Sequence, residues 1–171
     1  DAKEMTPDLK TVSGDLIGQL LSTTINPSNS TMLSALDSQI SFIDLTKVNL
    51  NDLKTAISFK DGKVNVKPFD LKYEDIKVTV GGTHGFDQSM NYNLKFDVPA
   101  KYLGTDINNL IGKLTPVDAK KFETIPINAI LTGNFKNPVS ELNAIVHIPT
   151  GHLQQMQHIG NIKHLNLGRQ L

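Results

Sequence analysis

Residues 59–82 read FKDGKVNVKPFDLKYEDIKVTVGG, and nearly every second side chain is apolar while lysine, aspartate, asparagine and threonine stand between. A period of two sends alternate side chains to opposite faces of an extended chain, so the stretch predicts antiparallel strands with one greasy face and one polar face. Asp61-Gly62 supplies the positive φ that a two-residue hairpin loop demands, with Ile57 and Phe59 leading in and Val64 and Val66 starting the return strand. Pro68 has no amide hydrogen to give a ladder and marks a bend or an edge, after which Phe69, Leu71 and Tyr73 resume the alternation. Ile76, Val78 and Val80 follow. The glycines of GGTHG (81–85) predict a kink or turn, FDQSMNY (86–92) a connection, and Tyr92, Leu94, Phe96 and Val98 a further strand that Pro99 ends.

Outward from this meander the signals are shorter. TVSGDLIGQLLSTTINP (11–27) mixes helical spacing with Gly14, Gly18 and a Thr23-Thr24 pair, and the glycines and threonines favour an extended chain. PSNSTMLSALDSQ (27–39) predicts a helix of two or three turns, with Ser28 or Ser30 as N-cap ahead of Met32, Leu33 and Leu36. A second helix is expected within 100–122, capped by Thr105 or Asp106, carrying Ile107, Leu110, Ile111 and Leu114, and stopped by Pro116. Alternation returns at Ile125, Ile127, Ala129 and Leu131, and again at Ala144, Val146 and Ile148, which makes about eight strands in all. The fold class expected is mostly β (α+β): an antiparallel, strongly curved sheet forming an open half-barrel or groove, with two short helices on or at the end of its apolar face.

The 171 residues fit one domain, read as 1–150, with 151–171 as a tail. Seventeen basic and seventeen acidic residues cancel, which leaves no net field for nucleic acid or an anionic membrane. With no cysteine there are no disulfides, thiolate nucleophiles or thiolate metal sites. No apolar run of about 18 residues occurs, and the first residues, DAKEMTPDLK, lack the charged-then-apolar plan of a secretion signal, so a soluble piece of something longer is expected.

The apolar face poses a covering problem. Leaving a Val, Leu, Ile or Phe in water forgoes about 1.5–3 kcal/mol each, and about a dozen such side chains outweigh the ~5–15 kcal/mol of a typical net stability. The sheet can close on itself, the helices can pack on it, or it can stay open as a groove for an apolar ligand or another chain.

Taken in order, MTPDLKTVSGDLIGQLL, FKDGKVNVKPFDLKY, IKVTVGGTHGFDQSMNYNLKFDVPAKYLG and IPINAILTGNFKNP resemble the C-terminal region of AsmA-like envelope proteins, particularly those of the Bacteroidetes. The likeness runs collinearly over residues 5–140. It implies a periplasmic β groove with an apolar inside, in a parent protein anchored in the inner membrane of a Gram-negative bacterium. Its implied partners are phospholipid or another acyl-chain lipid, and other envelope proteins, with a part in outer-membrane assembly. The residues that would line the groove are Ile57, Phe59, Val64, Val66, Phe69, Leu71, Tyr73, Ile76, Val78, Val80, Tyr92, Leu94 and Phe96, and the rim lysines Lys60, Lys63 and Lys101 would meet head groups. The alternative is a structural or protein-interaction domain with a closed core and no ligand.

Chemistry-bearing patterns are sparse. His152, His158 and His164 recur every six residues and would point one way on a strand, but no carboxylate or cysteine set completes a coordination shell, so a loosely packed tail is expected rather than a metal site. His84, among glycines in a turn, and His147 read as surface or hydrogen-bonding histidines. Asp61, Asp70, Asp75, Asp87 and Asp97 fall at turns or on the polar face rather than converging. No nucleophile-elbow, phosphate-loop or zinc-protease motif occurs, so no enzyme, no cofactor and no metal are expected.

Overall fold

The computed structural model describes residues 8–21 and 24–144. Seven strands form one antiparallel sheet in chain order: β1 (Gly14–Leu20), β2 (Leu53–Lys60), β3 (Lys63–Tyr73), β4 (Ile76–Gly85), β5 (Met90–Pro99), β6 (Thr124–Gly133) and β7 (Pro138–Ala144). β1 and β7 are its two edges, so the sheet stays open rather than closing as a barrel. The expected strand after residue 11 is β1, and the count among the described residues is seven rather than about eight. Val146 and Ile148 lie outside them.

Register explains how the apolar residues reach one face. Leu16 stands opposite Ile57, Ile57 opposite Val66, Leu71 opposite Val78, Val78 opposite Phe96, and Phe96 opposite Ile127. Asp61 and Gly62, with φ of 51° and 73°, make the tight hairpin that their sequence demands. Pro68 neither ends β3 nor leaves the sheet. It sits in a bulge where three steps along β3, Val66 to Phe69, match two along β4, Gly82 to Val80. One extra residue shifts the parity, which is how Val66 and Phe69 share a face. The ring of Pro68 lies against Gly81, where a Cβ would come within 3.1 Å of it.

GGTHG belongs to β4 and makes no turn; the chain reverses after it, at Phe86–Ser89. Gly82 is needed for close approach instead, since a Cβ there would collide with the Asn91 carbonyl and Tyr92 on β5. Among the described residues three short α-helices are present rather than two: α1 (Thr31–Asp37), α2 (Thr105–Ile111) and α3 (Pro116–Lys120). Ser30 caps α1 by accepting from the Leu33 amide at 3.4 Å. Pro116 starts α3 rather than merely stopping α2, because a proline at the first helical position loses no bond and Thr115 caps the turn.

The covering problem is solved over one half of the sheet by the β1–β2 connection, of which residues 24–52 are described. α1 packs by β7, where Thr31 donates to the Phe135 carbonyl at 2.7 Å and Gln39 to the Ser140 carbonyl at 3.2 Å. From there the chain runs back across the face. Phe42 stands edge-on to Phe96 of β5, with centroids 5.5 Å apart, and Asn49 bridges to Lys72 of β3. Leu36, Ile40, Phe42, Ile43, Leu45 and Val48 are thereby buried against Ile76, Val78, Phe96, Val98, Ile127 and Leu131. Among the described residues this core holds no buried polar or charged residue.

Truncating this cover is the direct test of its weight. Ile40, 1% exposed, should cost about 2–5 kcal/mol as Ile40→Ala, whereas Val139→Ala on the half-exposed β7 should stay within about 0.5 kcal/mol. Urea denaturation of both variants measures the difference, and equal effects would contradict the packing described.

Candidate functional site: a half-open apolar face

The predicted lining residues divide into two groups. Val64, Ile76, Val78, Leu94 and Phe96 are buried, and all of these but Val64 belong to the core that the β1–β2 connection closes, so they line no open groove. Leu71, Tyr73, Val80 and Tyr92 are half-buried on the same face but pack against that core, which leaves Ile57, Phe59, Val66 and Phe69 half-buried outside it. The sealed part spans β4 to β7 and the Leu71–Tyr73 end of β3, and the open part spans β1, β2 and the rest of β3. On β1 the inner side is bare: Leu16 is 51% exposed, and a Cβ at Gly14 or Gly18 would touch nothing within 4 Å.

The open half is also split. The β1–β2 ladder runs the full length to Leu20–Leu53, and the β3–β4 ladder to Tyr73–Ile76. Between them the β2–β3 ladder covers only Ile57–Val66 to Lys60–Lys63. Pro68 lies just beyond its end, where it can donate no bond to β2. Ladder pairing lapses there and resumes at the Asn49–Lys72 bridge, and a cleft of about 580 Å³ lies beside that bridge, lined also by Asn49 and Asn51. Leu53, Leu71 and Tyr73 line it from the apolar side, and Lys54, Asp70 and Lys72 alternate with them on the polar side. Asp52 and Glu74, both with left-handed φ of 58° and 52°, complete its mouth together with Lys47. The Thr55 hydroxyl beside it on β2 is buried without a hydrogen-bond partner.

Charges around the cleft are unevenly committed. Asp70 pairs with Lys77 at 2.9 Å and accepts from Thr79 at 2.6 Å, and first the Thr79 hydroxyl, then Lys77, hold its carboxyl below the ordinary range. Lys47 pairs with Asp44 at 3.0 Å. Glu74 accepts from the Tyr102 hydroxyl at 2.7 Å, a bond that raises the Tyr102 pKa, and lies within the field of Lys47, while Asp52 accepts from Gln19 at 3.3 Å. Among the described residues, Lys54 and Lys72 have no carboxylate within ion-pair distance.

Other expected sites resolve differently. Lys101 is tied to Asp75 at 2.6 Å and lies 4.8 Å over the Tyr102 ring, while Lys60 and Lys63 sit at the β2–β3 hairpin, at the opposite end of these strands from the cleft. Asp87 is engaged by Ser89 and Asp97 by Lys95 at 3.3 Å, so the carboxylates do not converge. His84 is on β4, not in a turn, and its ring faces inward: Nδ1 lies 2.7 Å from the Tyr92 hydroxyl and the ring meets the edge of Phe135. His147, His152, His158 and His164 lie outside the described residues. Among the described residues no group of three or more His, Cys, Asp or Glu side chains could hold a metal, and no helix is long and apolar enough to cross a membrane.

Sequence reasoning missed the cleft and its lysines, although Pro68 carried the signal: a residue without an amide hydrogen beside an unmatched stretch of β2 predicts a broken ladder. Comparison of the chain with protein-family models, curated proteins and solved structures gives no match.

His84 makes the fold sensitive to mild acid. Burial lowers its pKa from the ordinary 6.5, so as pH falls the unfolded chain takes up the proton first and stability declines from about 6.5 down to the folded-state pKa. The urea midpoint of the parent protein should therefore drop between about pH 7.5 and 5.5 by more than that of His84→Gln. Parallel drops would show that His84 is not responsible.

Proposed function

We propose that the domain is a non-enzymatic, lipid-binding module of the cell envelope, the end segment of an apolar β groove that takes part in phospholipid transport between membranes and outer-membrane maintenance. The observation that supports it most is the half-open inner face: aromatic and branched side chains of β2 and β3 left half in water beside a core the same chain seals. An acyl chain laid along Ile57, Phe59, Val66 and Phe69 would remove that surface from water without requiring directional bonds. The resemblance to AsmA-like proteins adds the setting, a periplasmic domain whose parent is anchored in the inner membrane.

A second reading is a protein-interaction domain, favoured by β1. This free edge exposes apolar side chains on both faces, with Ile17 at 82% and Leu21 at 74% on the outer side. Such an edge suits addition of a further strand.

Two glutamate substitutions separate the open half from the sealed half. Val78→Glu places an unpaired charge in the closed core and should unfold the domain. Phe69→Glu should leave it folded and remove co-purifying lipid, measured by mass spectrometry of organic extracts from protein prepared without detergent. A folded parent protein that carries no lipid, and takes none from vesicles, would refute lipid binding and favour the second reading.

A further inference from the structure

We propose that β1 pairs with β1 of a second copy of this chain, antiparallel about a two-fold axis at Ile17, joining two seven-stranded sheets into one. This commits the free edge described above to a single partner, so it rests on the strand-addition reading and is independent of lipid binding.

β1 has none of the guards that keep an edge strand to itself. It runs seven residues in unbroken register with β2, without a bulge, a proline or a lysine, and Asp15 is its one charge. The other edge is guarded: β7 begins at Pro138, carries Glu141, and has its Ser140 carbonyl engaged by Gln39, just past α1. Seventeen basic and seventeen acidic residues also leave no net repulsion between copies.

The stretch GDLIGQL (14–20) fixes the register. A two-fold axis through the sheet keeps each face continuous, so the pairing can slip only by two residues at a time. With Ile17 on the axis, Leu16 stands across from Gly18 and Leu20 across from Gly14, and at both glycines an added Cβ would find nothing within 4 Å. On the outer face Ile17, 82% exposed, meets its own copy, and Asp15 meets Gln19. Gln19 lies beside Lys54 of β2, so each outer row would run Lys54, Gln19, then Asp15 of the second copy. Among the described residues neither Lys54 nor Asp15 has an ion-pair partner. The row sets these opposite charges two strands apart, about 10 Å between backbones and within a Debye length. A slip in either direction would lose this match, setting Asp15 against Ile17 or Leu21 and Leu16 against itself or Leu20.

Pairing at β1 would also place the open parts of the two copies side by side, so that the half-buried face at Ile57 and Phe59 continues into its twin. A seven-residue seam, about 24 Å long, is short for the ~1,200–2,000 Å² of a standard interface, so the dimer is a weak one.

The test is sedimentation equilibrium of the full chain, with circular dichroism to confirm that each variant folds. The parent protein should dimerise with a Kd of about 10–100 µM, the range of small interfaces. Ile17→Lys, which sets two ammonium groups face to face on the axis, should weaken the dimer at least about tenfold. The chain has no cysteine, so an introduced thiol reports its own position. Ile17→Cys should form a disulfide-linked dimer under mild oxidation, and Asp15→Cys should link to Gln19→Cys when the two variants are mixed, neither linking to itself. Val139→Cys on β7 is the control. A monomeric parent, or a thiol at position 17 that links no faster than one at 139, would overturn self-pairing while leaving strand addition by a different protein intact. Hydrogen exchange tells the two failures apart. Protection of every β1 amide in a monomer would show the edge already occupied by the chain itself, and would sink strand addition as well.

Discussion

The structure depends on one mismatch, between the width of an apolar face and the reach of what covers it. The face is seven strands wide, and its cover is a single connection that spans from β7, at Gln39, to β3, at Asn49. Where Phe42 meets Phe96 and Ile40 is buried in the core, water is excluded and a hydrophobic core exists. Beyond Asn49 the same chain turns into β2 and becomes part of the sheet, so nothing remains to cover β1 and β2. β1 is held there by its ladder to β2 alone, while the turns at the other end of the strands are joined to one another, Phe86 donating to Gly62 and Phe135 to Gln88, without hiding side chains on the face.

The sequence made the sheet legible because alternation is a local signal. Asp61-Gly62, Val64, Leu71, Val78 and Phe96 each declare their face from neighbours two residues away, and the register then brings them together. Two glycines and a proline were harder to read. Gly81 and Gly82 look like a turn from composition, yet they are strand residues chosen for close contact with Pro68 and Tyr92, partners 13 and 10 positions away in sequence. Pro68 reads as a bend or an edge, and the structure makes it a bulge within β3, whose shift of parity against β4 the alternation alone does not show. These roles depend on a neighbouring strand, which the local pattern does not contain.

The candidate site was legible only in its apolar component. All the expected lining residues do share one face, but the sequence does not show that residues 40–48, which have no strict period, lie across half of it. Burial of Ile40, Phe42, Ile43, Leu45 and Val48 is set by contacts with β3 to β7 and not by a helical or strand rhythm. The polar side chains of the cleft are brought together by the lapse in the β2–β3 ladder between Ile57–Val66 and Asn49–Lys72, which local alternation does not announce.

Pro68 therefore connects the fold to its proposed use. The β2–β3 ladder stops at Ile57–Val66 and resumes at the Asn49–Lys72 bridge, so the chain leading into β2 takes more residues than β3 between the same two points, and the surplus is taken up at the turn before Leu53, where Asp52 has a φ of 58°. A chain selected only for stability gains from closing that seam, because each restored backbone bond is worth about 0.5–1.5 kcal/mol net. The stretch without ladder bonds lies beside Ile57, Val66 and Phe69, apolar side chains left half in water. An apolar ligand laid on those side chains would remove that surface from water, which is what the proposed function sets against the missing bonds.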